Sequence, residues 1–226
     1  MRRCVYAVLL WAAFGFGARA APCLTGSLAA YISLGPSGCS IGQNTYSGFQ
    51  SLPISAGSTQ INPSAVTVTP SGGSFNPELT FSVSLTEGAG SASETLLNYS
   101  VTGTIYLNDI VTLSNASETV DGGVSDTVNF CENGRFGSNG VTGCAGTTGG
   151  TALVDGVLNR DTLTFNSPSF VSLTDDLLIS GGTAGQASGA TITDQLASVP
   201  EPASYLLTAF GVAVALVLKS RLLRRG

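Results

Sequence analysis

Between residues 66 and 193, apolar and hydroxyl-bearing residues alternate almost one by one. Val66 and Val68 are spaced by Thr67 and Thr69, and Phe81, Val83 and Leu85 alternate with Ser82, Ser84 and Thr86. Leu97, Tyr99, Val101, Ile105 and Leu107 continue one face, with Gly103 as an interruption. A period of two places apolar side chains on one face of a strand and hydroxyls on the other. The same pattern predicts strands at 110–113, 125–131, 151–158, 161–165, 170–173, 177–180 and 190–193. Ser71-Gly72-Gly73, Glu87-Gly88-Ala89-Gly90, Asp121-Gly122-Gly123, Asn133-Gly134 and Gly181-Gly182 punctuate these runs as turns. Many short strands with Gly, Ser and Asn turns predict an all-β fold, an antiparallel β-sandwich of jelly-roll or immunoglobulin-like topology.

Ahead of the strands, residues 21 to about 35 predict a short N-terminal helix. Ser27 caps it, Leu28, Tyr31 and Ile32 recur at helical spacing, and Gly35-Pro36 ends it. The two ends of the chain read differently. Arg2 and Arg3 precede an apolar run over residues 5–16, and Ala18-Arg19-Ala20 supplies small residues for a signal peptidase, so residues 1–20 are a secretion signal. Residues 203–218 form a second apolar run, predicted as a transmembrane helix, followed by Lys219, Arg221, Arg224 and Arg225. About 24 Å of helix falls short of a hydrocarbon core of about 30 Å, so the span is marginal. Its basic end belongs in the cytoplasm, which leaves residues 21–198 outside as the secreted domain.

Charge sharpens this picture. Of nine basic residues, just Arg135 and Arg160 lie in the body, against 14 acidic residues between Glu78 and Glu201, a net charge of about −12. Such a surface cannot neutralise phosphates, so no nucleic acid is expected as a partner. There is no His, and the sole Met is the initiator. Ser-His and Cys-His catalysis and imidazole metal ligation are therefore excluded, and the body has no Lys for Schiff-base or phosphate chemistry.

Cys4 falls in the signal, leaving Cys23, Cys39, Cys131 and Cys144. Four cysteines allow three connectivities; local pairing is the simplest in an oxidising compartment. A zinc site would normally use C-x2-C knuckles, which are missing.

Carboxylates are the remaining candidate chemistry. Asp175-Asp176, Asp121 with Asp126, and Asp155 with Asn159 and Asp161 offer oxygen ligands, but none has the spacing of a calcium loop, so no metal or other cofactor is expected. Glu78, Glu87, Glu94, Glu118 and Glu132 are the carboxylates a glycosidase would need, mostly in turn-like settings. Tyr31, Tyr46, Phe49, Phe75, Tyr99, Tyr106, Phe136 and Phe170 are candidates for stacking on sugars, most of them better placed as core. The sole Trp, Trp11, is in the signal.

Val199-Pro200-Glu201-Pro202, one apolar helix and an Arg-rich end together resemble the PEP-CTERM sorting tail of Gram-negative bacteria. The segment 23–49, with Leu34-Gly35 and Gly38-Cys39-Ser40-Ile41-Gly42, looks like the start of many small proteins of that group. The resemblance implies that residues 199–226 are a sorting signal read by an exosortase. It further implies a transient inner-membrane intermediate and an end at the cell surface or in an exopolysaccharide or biofilm matrix. It implies no activity for the body. The expected function is thus a non-catalytic surface or matrix protein; the alternatives are a secreted polysaccharide-binding module and a carboxylate-based hydrolase.

Overall fold

The period-two runs become strands of two facing sheets. The computed structural model describes residues 20–54, 56–103 and 106–198. Residues 1–19 of the predicted secretion signal, Val199, Pro200, Glu201 and Pro202, the predicted transmembrane helix, and Lys219, Arg221, Arg224 and Arg225 lie outside the described residues.

In chain order the strands are β1 (Gly26–Ser27), β2 (Cys39–Ile41), β3 (Asn44–Leu52), β4 (Thr59–Gln60), β5 (Val66–Gly72), β6 (Pro77–Gly88) and β7 (Ala92–Thr102). They continue with β8 (Tyr106–Ser114), β9 (Ser117–Thr119), β10 (Gly123–Glu132), β11 (Thr147–Asp155), β12 (Arg160–Thr164), β13 (Phe170–Ser180) and β14 (Gln186–Ser198). One sheet runs β1-β5-β6-β14-β8-β12, with β9 beside β14; the other runs β11-β10-β13-β7-β3-β2, with β4 beside β7. Pairing between these strands is antiparallel except for the two-residue β4–β7 contact, and an isolated parallel bridge joins Pro22 to Ser40 of β2. Most successive long strands step between the sheets, while the β5–β6 and β10–β11 hairpins each stay within one. The resulting orders β6-β14-β8-β12 and β11-β10-β13-β7 make a sandwich of two antiparallel sheets, the all-β architecture the alternation predicts.

Between the sheets, Val66, Val68, Phe81 and Ile192 meet Leu97, Tyr99, Leu173 and Ile179, all buried. Tyr99 lies at the centre, its ring 5.4 Å from Phe49, 5.8 Å from Phe81 and 6.2 Å from Tyr46. The alternation works as read: Thr80 and Thr193, and Ser82 and Thr191, pair their hydroxyls on the outer face of the first sheet.

The predicted N-terminal helix is present as α1 (Leu28–Ser33), capped by the Ser27 hydroxyl, which accepts from the Ala30 amide at 3.2 Å. It is shorter than the pattern implied, because Gly26 and Ser27 pair with β5 and Gly35-Pro36 opens a 3-10 turn. Its buried Leu28 and Tyr31 close one end of the core. The Cys23–Cys39 disulfide ties this unit to β2. Gly38 enters β2 at φ 58°, and a Cβ there would overlap the Tyr46 carbonyl oxygen, so glycine is required.

Two readings are corrected. The face through Leu97, Tyr99 and Val101 does not continue to Leu107: β7 ends at Thr102, the chain crosses to the other sheet, and Leu107 is exposed. The predicted strands 170–173 and 177–180 are one strand, β13, paired without a break to β7 and β10. The polar residues Thr174, Asp175 and Asp176 hid its middle.

Candidate functional site

The outer face of the second sheet carries rows of polar side chains set by register. Across β10, β13 and β7, Ser125, Leu178 and Glu94 stand abreast, then Thr127, Asp176 and Leu96, then Asn129, Thr174 and Asn98, then Cys131, Ser172 and Ser100. Outward alternation puts these residues on one surface.

The last two rows are covered. Cys131 at the end of β10 is bonded to Cys144, and the segment 133–146 folds back over the sheet. Thr174 donates its hydroxyl to the Gly140 carbonyl, and the Arg135 guanidinium donates to the Ser100 hydroxyl at 3.0 Å while lying 5.2 Å over the Phe170 ring. Asn98 is consumed within the sheet, donating to the Thr174 hydroxyl and the Leu173 carbonyl.

The first two rows remain open as a groove of about 330 Å³ lined by Ser58, Glu94, Ser125, Thr127, Asp176 and Leu178. Ser125 and Leu178 also belong to an adjoining hollow of about 310 Å³ that contains Glu118, Asp121, Asp155 and Val157. The two hollows share this wall and together are called the trough. Glu94 and Asp176 are diagonal neighbours in register, so their carboxyls crowd each other on the outer face. Partial burial, and then the adjacent Glu94 carboxylate, raise Asp176 to about 6. At neutral pH Asp176 is therefore largely ionised and presents acceptor oxygens to the groove.

The other carboxylates are dispersed. Asp121 is held well down, at about 2, first by the Thr183 hydroxyl and then by the Thr183 and Ala184 amides it accepts from. The Leu158 and Val157 amides lower Asp155 in the same way. Asp161 accepts from the Leu153 amide, and Glu118 from Val124. Asp175 and Asp176 point to opposite faces of β13, and Asp126 faces the interior, away from Asp121. None of the three proposed calcium clusters is brought together; among the described residues no three such side chains are placed to hold a metal ion. Glu78 is bonded to Ser71 and Gln195, Glu87 to Ser93, and Glu132 to Asn166. Of the five glutamates, Glu94 and Glu118 line the trough, Glu94 beside Asp176 and Glu118 in the hollow that holds Asp121 and Asp155.

Tyr31, Tyr46, Phe49, Tyr99 and Tyr106 are core residues. Phe170 lies under Arg135, Phe136 is half-buried, and Phe75, 44 % exposed, sits beside Ser198 rather than at the trough. No aromatic residue lines the trough. The site was missed in the sequence because it is assembled from β10, β13 and β7, whose register no single stretch reveals.

No protein-family model matches the chain, and no curated protein does. Among solved structures it is similar to TmCBM61 in complex with beta-1,4-galactotriose, at 13% identity and a TM-score of 0.30, over 61% of this chain and 83% of that one. It is also similar to the enzymatically active domain of bacteriophage CBA120 tailspike protein 4, at 11% identity and a TM-score of 0.27, over 65% of this chain and 21% of that one. At these scores neither likeness bears on what this trough binds.

Proposed function

We propose that the chain is an exported, non-catalytic envelope or matrix protein whose β-sandwich domain holds polysaccharide in the trough of its second sheet. The observation that carries this reading is the trough itself: an extended surface of Ser, Thr, Asp and Glu acceptors and donors, the arrangement that pairs with sugar hydroxyls. Its acidic lining favours neutral or amino-bearing polymers over uronate-rich ones, since like charge is repelled. Hydrolysis is less well supported. Retaining and inverting glycosidases separate their two carboxyls by about 5 Å or more to flank the bond they cut, whereas Glu94 and Asp176 are crowded side by side on neighbouring strands. The two disulfides favour an oxidising compartment outside the cytoplasm.

Electrophoretic retardation in gels cast with neutral, amino-bearing or uronate polymers tests the binding. Retardation by one of the first two is expected, weakened about tenfold or more in Glu94→Gln/Asp176→Asn, because each carboxylate hydrogen bond contributes roughly 1.5–3 kcal/mol. Equal retardation of the variant, with its circular dichroism unchanged, would place binding elsewhere.

Residues 199–226 are proposed as the sorting signal that an exosortase removes. Intact mass of the surface-retained protein is then expected to lack the basic end. A surface species that still contains Arg224 and Arg225 would rule out this processing.

A further inference from the structure

Four aspartates lie inside the sandwich, where no cation meets them. Asp109 on β8 and Asp194 on β14 face inward from the first sheet, diagonal to each other because Leu196 pairs with Asp109 and Val111 with Asp194. Asp126 on β10 and Asp175 on β13 face them from the second sheet, diagonal for the same reason. All four are at most 3 % exposed. Asp175 and Asp194 crowd each other across the gap, and the Tyr99 hydroxyl donates to Asp194 at 2.6 Å. Beyond these, both oxygens of Asp109, Asp126 and Asp175 lack any donor of normal hydrogen-bond geometry. A void of about 10 Å³, the room of one water molecule, is lined by Asp126, Asp175 and the Thr95 hydroxyl, which is itself buried and without a partner.

The groups around the cluster supply no positive charge. β3 contributes Tyr46, β7 Tyr99, and β8 Tyr106, whose hydroxyl is turned to Asn44. Glu78 on β6 adds negative potential at Tyr46, and Asp176 on the far side of β13 adds it at Asp126. β5, α1 and the inward positions of β11 and β12 add apolar side chains. No Lys, Arg or His is buried among the described residues; Arg135 lies on the outer face and Arg160 is exposed.

Four carboxylates so placed cannot all be charged. Isolated ionised carboxylates in an apolar interior take up protons instead, and of two carboxyls crowded together one keeps its proton. We propose that the four interior aspartates form a proton-loaded core that keeps the domain closed in acidic surroundings and loosens it as the surroundings become alkaline. The void supplies a place for one water to bridge Thr95 to the protonated pair.

Burial first, then neighbouring carboxylates, raises Asp109, Asp126 and Asp175 well above the usual range; burial likewise raises Asp194, to about 6, against the lowering influence of Tyr99 and Asp175. A carboxyl whose folded pKa exceeds its unfolded value of about 3.9 stabilises the fold fully below that value. That stability is lost as pH rises through the folded pKa. The loss therefore begins above about pH 4 and continues through about pH 6 and beyond, each group weakening the folding equilibrium up to tenfold per pH unit.

Urea unfolding of the full-length protein between about pH 4 and pH 9, followed by circular dichroism, tests this. The midpoint is expected to fall across that range and to keep falling in about 0.5 M NaCl, which screens surface repulsion but not the interior. Asp126→Asn and Asp175→Asn, neutral at every pH, are expected to flatten the profile and to exceed the wild type at about pH 8. A wild-type profile that is flat or rises with pH overturns the proposal, as do Asn variants that retain the wild-type slope. A profile that calcium flattens and chelator restores overturns it in favour of a bound cation. Should the variants fail to fold, the infrared carbonyl band of protonated carboxyls in the wild type at neutral pH decides: its presence supports the proton-loaded core and its absence refutes it.

Discussion

Tyr99→Ala is expected to cost about 3–5 kcal/mol, a large part of the roughly 5–15 kcal/mol that holds a domain of this kind folded. The ring is fully buried and touches three others, from Phe49, Phe81 and Tyr46, so its removal leaves a cavity that neighbouring strands cannot close without breaking their ladders. Tyr99→Phe separates the ring from the hydroxyl. It retains the packing but withdraws the donor that reaches Asp194, and a cost of about 1–3 kcal/mol is expected. That cost should grow with pH, because the bond is strongest to the charged carboxylate and Asp194 becomes charged above about 6. Chemical unfolding of both variants at about pH 5 and pH 8 checks the pattern. In Asp194→Asn the pH dependence of the Tyr99→Phe cost should vanish; an unchanged pH dependence would mean that the hydroxyl acts through packing alone.

Breaking Cys131–Cys144 is the second large change. The bridge closes a 13-residue separation, and loop closure of that size contributes about 3 kcal/mol. For a domain of this length that corresponds to roughly 6–12 °C in the midpoint of thermal unfolding. Cys131→Ala/Cys144→Ala should also make the segment 133–146 a site of early proteolysis. Without the bridge its remaining anchors on the sheet include Thr174 to Gly140, Arg135 to Ser100, the Asn133 amide to the Phe170 carbonyl, and the Arg135–Phe170 contact. The trough rows around Glu94 and Asp176 lie outside the covered area and should bind as before. Cleavage no faster than in the wild type would show that those contacts hold the segment without the bridge.

Much of the fold was legible because its pattern is local. Alternating Val-Thr and Phe-Ser-Val-Ser runs gave β5 and β6, glycine pairs gave the turns, and Ser27 with Gly35-Pro36 bounded α1. Legibility failed where polar residues occupy inward positions. Asp175 interrupts the apolar face of β13, Asp109 that of β8 and Asp194 that of β14, so β13 read as two strands and the other two as shorter ones. β3 went unread because Asn44, Thr45, Ser47, Gly48 and Gln50 dilute its alternation. The trough and the interior carboxyls share one cause of obscurity: both are made by register between strands distant in sequence. Asp175 and Asp176, adjacent in the chain, belong to different environments on the two faces of one strand.

The place of β14 in the first sheet has a mechanical consequence. It is the last described strand, directly ahead of the proposed sorting tail, yet it is central, hydrogen-bonded to β6 on one side and to β8 on the other. A domain tethered through that end would receive any pull along the axis of a strand clamped on both flanks. Such a pull loads two ladders together in shear, whereas an edge strand such as β12 would peel away one bond at a time. Under such tethering the wiring of the sandwich would place the load on a strand held by ladders on both flanks.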